Sequence, residues 1–247
     1  MEYINKFNKL TSFIMEDILS YDLPKERAKI IEGWVKVAEY LKLRKDHNDC
    51  FAIFSALKNY IITGLKLTWK ELKSKTKALI NEVSEYCNFE RNYKNLREEM
   101  INCINSNEFY LPYLGMLLKD ISFYEANYEY LISDNLINIE KIEKVQLTID
   151  NFFYFKNIPD IYNKNSEYPK ELYFFNDLEL IKEDELDILA NKLEPKYILE
   201  DMPTKIKILT NIDKIYYSNK TNSKISLKSN KSSKKLLFNY INIYLLS

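Results

Sequence analysis

The stretch Leu111–Asn127, LPYLGMLLKDISFYEAN, decides the fold class. It opens on Pro112, whose fixed φ suits a first helical turn, and places Gly115 where two backbones could approach. It then runs through an apolar helix and ends in an acidic, aromatic tip. By itself it describes a buried helix with an exposed end.

Working outward, the upstream chain repeats the helical pattern. Residues 7–20 carry Phe7, Leu10, Phe13, Ile14 and Ile18 at spacings of three and four, an amphipathic helix. Pro24 stands where a second helix would begin, with Ile30, Ile31, Trp34, Val35, Val37, Ala38 and Leu41 as its broad apolar face. Residues 43–49 are polar and predict a short loop in which His47 is solvated; a helix from about Cys50 to Ile62 follows. Thr68-Trp69-Lys70-Glu71 has the spacing of a capping box, so a helix is expected to start there with Leu72, Leu79, Val83 and Tyr86 facing inward. Trp34 and Trp69 are expected in the core. Beyond Asn88 the next apolar face is Phe89, Tyr93, Leu96, Met100 and Ile104. Downstream, residues 128–132 form a short amphipathic piece, 137–155 a longer helix and 156–176 mostly loop. Residues 184–193 return to helix and stop at Glu194-Pro195, because the residue before proline avoids the helical region.

Composition agrees. Three Gly and six Pro leave too little turn chemistry for a many-stranded sheet, so the expected class is all-α. Twenty Tyr and thirteen Phe supply large areas for cores and protein interfaces. Acids and bases balance at 36 each, but the seven Lys from residue 214 onward meet no acid, which leaves residues 1–213 at minus seven. A mildly acidic body argues against a nucleic-acid groove. The three cysteines, Cys50, Cys87 and Cys103, form no CxxC and no Cys/His cluster, and read as reduced apolar fillers in a cytoplasmic protein. The first residues lack a signal-peptide pattern, and no run of about 18 apolar residues exists to span a bilayer. Ser, Asn and Lys dominate residues 218–235, a composition expected to be a disordered linker, before the apolar end LLFNYINIYLLS. There is no phosphate-binding loop, dinucleotide fingerprint, HExxH or GxSxG, and helix spacing places the carboxylates on solvated faces, so bond-making chemistry, cofactors and metals have no sequence support.

In order, the chain offers FNKLTSFI, PKERAKIIEGWVKVAEYL, FAIFSALKNYIITGLKLTW, LPYLGMLLKDISF, INIEKIEKV and DELDILANKLEPK. These six blocks, over residues 7–196, closely resemble the successive blocks of the Ras-type guanine-nucleotide exchange factor catalytic domain. The resemblance implies one helical domain, residues 1–200, with a protruding helical hairpin, followed by a basic tail over residues 201–247. It also implies a Ras-family small GTPase as partner and a cytoplasmic protein without cofactor; separately, the charge of the Lys-rich tail could favour peripheral contact with an anionic membrane. The chain begins at a block that lies about a quarter of the way into the family's domain, so the preceding helices and the helper module are expected to be missing.

By the same resemblance, the hairpin starting near Lys119 would be the wedge that displaces the first switch segment. Ser122 matches the position near the magnesium site, Glu125 the acid competing for phosphate-loop contacts, and Asn127 a polar position at the tip. Tyr113 and Phe51 match walls of the pocket that grips the second switch, and Lys144 a basic position facing it. Lys58 stands where the family has Asn, Gly64 where it has Arg, and Ile139-Glu140-Lys141-Ile142 replaces its basic run. Two other classes are open: a helical module that binds a GTPase without releasing nucleotide, and a membrane-associated adaptor using the Lys-rich tail.

Overall fold

The computed structural model describes residues 2–133, 136–157 and 180–195. Most of them are helical. In chain order the elements are α1 (Glu2–Leu19), α2 (Pro24–Leu43), α3 (His47–Lys58), α4 (Tyr60–Thr63), α5 (Lys66–Glu71), α6 (Ser74–Tyr86), α7 (Lys94–Ser106) and α8 (Leu114–Asn127). A small ribbon, β1 (Leu131–Ser133) and β2 (Leu136–Ile137), then leads into α9 (Ile139–Phe153), and α10 (Glu183–Leu193) is the last described helix. Contacts divide the chain into two compact units.

The first unit holds Met1–Thr11, Trp34–Ala56 and Lys73–Pro169. Trp34, Val35 and Ala38 of α2 and Cys50, Ala52 and Ile53 of α3 are buried, as are Val83, Leu96 and Cys103 of α6 and α7. Lys45, in the left-handed region at φ 61°, turns the chain between α2 and α3. Its carbonyl accepts from Leu111 N at 2.9 Å while His47 N donates to Leu111 O at 2.9 Å, which pins the start of α3 to the segment before α8. Ion pairs Arg97–Asp120, at 2.7 Å, and Lys45–Glu99 join α7 to α8 and to that turn. Cys50 and Cys87 face each other at 3.9 Å between sulfurs.

The second unit holds Ser12–Gly33, Leu57–Leu72 and the chain from Lys170. Its core is Phe13, Ile14, Ile18, Ile31, Ile61, Ile62 and Leu186, all buried. At its centre is a buried ionic cluster. The Arg27 guanidinium, fully buried, donates to Glu194 Oε1 at 2.7 Å, to Thr68 Oγ1 at 2.9 Å and to the carbonyls of Tyr21 and Asp22 at 2.8 Å each. Glu194 also accepts from Leu67 N, Thr68 N and Thr68 Oγ1, at 2.7, 3.0 and 2.6 Å. The acid after α10 thus supplies the acceptor for orphan N–H donors at the start of α5.

Several sequence expectations are corrected. Thr68 and Glu71 form no capping box: Thr68 lies inside α5 bonded to Glu194, Glu71 ends that helix, and the next begins at Ser74. The helix expected from Cys50 to Ile62 begins at His47 and breaks at Asn59, whose side chain accepts from Ile61 N at 2.9 Å and caps α4. His47 is not solvated. It is 2% exposed in the first turn of α3, with Nδ1 and the Tyr86 hydroxyl 2.5 Å apart, and burial lowers its pKa to about 4. Asp46 beside it is pushed up to about 8 by burial, with Asp49 adding to the shift. Phe89 is 61% exposed rather than inward, because Arg91, Asn92 and Tyr93 all take positive φ and separate it from α7. The short amphipathic piece expected over 128–132 runs into strand β1 at Leu131, whose three residues are all exposed. Trp34 is core; Trp69 is half-buried, its indole N–H bonded to Ile62 O at 2.7 Å. Of the loop expected over 156–176, residues 156–157 belong to a 3-10 turn, Tyr154–Asn157, and the rest lies outside the described residues, as does the tail expected over 201–247.

Candidate functional site

Four segments of the first unit bring aromatic rings together ahead of α8. Phe51 of α3 and Tyr113, the residue preceding α8, stack face to face with centroids 3.9 Å apart and planes 8° from parallel. Phe7 of α1 stands 5.7 Å from Tyr113, and Tyr93 meets it edge-on at 5.9 Å. Phe51 is buried and Tyr113 half-buried, so a partly open tyrosine roofs a closed ring. Burial pushes the Tyr113 phenol up to about 12. Gly115 explains the placement. A Cβ built there would lie 2.3 Å from the Tyr113 ring, so the close approach is made by that ring and not by a second backbone.

The other expected residues lie on the hairpin made by α8, the ribbon and α9. Ser122 and Glu125, three residues apart, share a face of α8 and are exposed. Glu125 does not project freely: Oε1 accepts from the Tyr130 hydroxyl at 2.6 Å and Oε2 from Lys141 Nζ at 3.2 Å. Those partners, Tyr130 first, hold its carboxyl below the usual carboxylate range. Lys141 is 1% exposed, sits 3.5 Å from the Tyr130 ring centroid and donates to Tyr128 O at 2.9 Å. Asn127, exposed at the end of α8, donates to Phe123 O at 2.8 Å. Lys144, one turn beyond Lys141, bonds Glu140 at 2.6 Å and the Tyr128 hydroxyl at 2.7 Å, contacts that raise its pKa. Asn138 caps α9 by accepting from Lys141 N at 3.2 Å.

The structure therefore brings Phe51 together with Tyr113, and Glu125 and Lys144 into adjoining clusters that share Tyr128. Lys58 is the exposed last residue of α3 and falls in the second unit. Sequence reading missed Lys141, Tyr128 and Tyr130. The only signal was the spacing Asn138-x-x-Lys141, where a capping asparagine fixes the helix start and hence the side on which the lysine emerges. A small, partly open cleft of about 50 Å³ lies between α7, α8 and α9, walled by Met100, Met116, Leu117 and Phe152 and flanked by the Arg97–Asp120 pair. Among the described residues, no group of three or more His, Cys, Asp or Glu is placed to hold a metal ion.

A stacked aromatic pair ahead of a two-helix hairpin, carried on helices, defines an all-α domain. The RasGEF domain model matches residues 1–143, and the chain belongs to that family. It is similar to Ras-specific guanine nucleotide-releasing factor 2 of Mus musculus, 32% identical over 197 residues, which is 79% of this chain and 16% of the relative. It also resembles cyclic GMP-binding protein D of Dictyostelium discoideum, 32% identical over 148 residues, 60% of this chain and 11% of that protein. Ras guanine nucleotide exchange factor M of the same organism is 26% identical over 195 residues, 78% of this chain and 21% of its own length. The chain thus spans about a fifth or less of these relatives.

Proposed function

We propose that this chain promotes release of guanine nucleotide from a Ras-family small GTPase, acting by binding and not by bond-making chemistry. The observation that carries the reading is the family match over residues 1–143, which includes the stacked pair, all of α8 and the ribbon. A GTPase holds its nucleotide through a phosphate-binding loop and magnesium, closed over by two switch segments. A partner that prefers the nucleotide-free form weakens nucleotide binding by the same factor, and a 10⁴-fold effect needs a difference of about 5.5 kcal/mol. Phe51 and Tyr113 are assigned to grip the second switch, where a preformed aromatic anchor suits an interface hot spot. Lys144 is assigned to face it, and Lys58, in the second unit, is assigned a partner contact of its own. Ser122, Glu125 and Asn127 are assigned to the face of the hairpin that meets the nucleotide site.

The exchange domain is taken as residues 1–200. The Lys-rich tail beyond it, outside the described residues, is assigned peripheral contact with an anionic membrane in a cytoplasmic protein. No helix among the described residues is long and apolar enough to cross a membrane.

One observation supports a different role for Glu125. Both its oxygens are engaged within the hairpin, so its charge is already compensated by Lys141. On this second reading Glu125 is a positioning residue that holds the ribbon. Release of a fluorescent GDP analogue separates the two: Glu125→Gln with Lys141→Met as comparison. A direct role predicts that only the Glu125 variant slows release, and a positioning role that both do.

A further inference from the structure

Helix α1 reaches both members of the stacked pair. Tyr3 and Phe7 are four residues apart and share one face of that helix. The Tyr3 hydroxyl donates to Pro112 O at 3.2 Å, and the Phe7 ring packs 5.7 Å from that of Tyr113, tilted by 38°. One turn further on, Thr11 Oγ1 donates to Ala52 O at 3.4 Å, next to Phe51. Helix α1 thus touches the backbone before Tyr113, the Tyr113 ring and the backbone after Phe51. All of these residues lie in the first unit.

Tyr113 needs such support. Its backbone is extended, at φ −76° and ψ 115°, and its side chain caps no helix donor, so ring contacts set its rotamer. Phe51 covers one face of the ring, and the hydroxyl end lies over the bare Cα of Gly115. Phe7, tilted, and Tyr93, edge-on, close two further sides. An aromatic anchor already held in its bound rotamer loses less entropy when a partner closes on it.

We propose, resting on the exchange reading above, that Tyr3 and Phe7 are positioning residues for exchange. They hold the Tyr113 ring against Phe51 in the orientation that grips the second switch, and they act through that ring and not by touching the GTPase. Tyr3 fixes the backbone from which the ring springs, and Phe7 fixes the ring.

The intramolecular half is tested without a GTPase, from the fluorine resonance of 3-fluorotyrosine placed at position 113 of the full chain. Phe7→Ala is expected to move that resonance toward its position in the urea-unfolded chain, with Phe7→Leu between the two. Phe7 is half-buried, so the fold is expected to survive, as checked by circular dichroism. The functional half is affinity for nucleotide-free GTPase, by titration. Phe7→Ala is expected to lose about two- to tenfold, the worth of one aromatic pair, Tyr3→Phe less, and Phe7→Leu to recover part of the loss. With Tyr113→Leu already in place, Phe7→Ala is expected to lose little more, because the ring it orients is gone. An unmoved resonance would overturn the proposal, and so would an affinity loss from Phe7→Ala that is the same with and without the Tyr113 ring. If the resonance moves as expected but the intact chain neither accelerates GDP-analogue release nor binds nucleotide-free GTPase, the exchange reading has failed and the role in exchange falls with it, while the hold on Tyr113 stands.

Discussion

Glu194→Ala removes the acid on which the buried cluster of the second unit converges. Arg27 is then left fully buried without its counter-charge, and Leu67 N, Thr68 N and the Thr68 hydroxyl lose an acceptor. Breaking a buried pair by deleting one partner costs about 3–5 kcal/mol. The lost backbone bonds are part of the same loss and are not added to it. Set against a total of about 5–15 kcal/mol, this is a large fraction of the stability. With a urea slope of about 2 kcal/mol/M, a loss of about 4 kcal/mol lowers the unfolding midpoint by about 2 M. Removing both charges, in Arg27→Leu/Glu194→Ala, is expected to cost less than Glu194→Ala plus Arg27→Leu by more than about 1 kcal/mol, because no unpaired charge remains. A midpoint within about 0.5 M of the parent for Glu194→Ala would refute the reasoning.

Three further outcomes are expected. Phe51→Ala deletes the buried half of the stacked pair and costs about 3–5 kcal/mol in urea unfolding, whereas Tyr113→Phe, which keeps the ring, leaves stability nearly unchanged. Gly115→Ala forces the Tyr113 ring off Phe51 and is expected to weaken GTPase affinity more than it lowers the melting temperature, compared by titration and calorimetry. Because His47 has a folded pKa of about 4 against an ordinary 6.5, the unfolded chain binds the extra proton between those values, and the stability His47 confers falls as pH drops through that window. The stability margin of the parent over His47→Gln is therefore expected to shrink by about 3 kcal/mol between pH 7 and pH 4, measured by urea titration at each pH. Asp46, raised to about 8, acts in the opposite sense over the same range, which is why the difference between the two proteins and not the parent alone is the quantity to follow.

Periodicity made the helices legible wherever one face is apolar over several turns: α2 begins at Pro24, and α10 ends before Glu194-Pro195. It failed where a distant partner claims a local group. Thr68 could cap its own helix by spacing, but Glu194, more than a hundred residues away, offers a charged acceptor and takes both its N–H and its hydroxyl. His47 looked solvated because its neighbours are polar. The Tyr86 hydroxyl that makes its burial tolerable belongs to another helix. The role of Gly115 depends on the rotamer of Tyr113, which spacing does not carry. Of the candidate site, the sequence blocks named Phe51 and Tyr113, which the structure stacks together. They gave no hint that Glu125 is already tied to Lys141 and Tyr130, since that tie depends on the ribbon folding back between α8 and α9.

The central claim is nucleotide exchange, and it is tested most directly by release of a fluorescent GDP analogue from a panel of Ras-family GTPases, with excess unlabelled nucleotide present. The account predicts faster release from at least one member with the intact chain, and loss of that acceleration in Tyr113→Ala. Release that the intact chain leaves unchanged across the panel, while nucleotide-free GTPase still binds, would contradict it and leave a GTPase-binding module in its place.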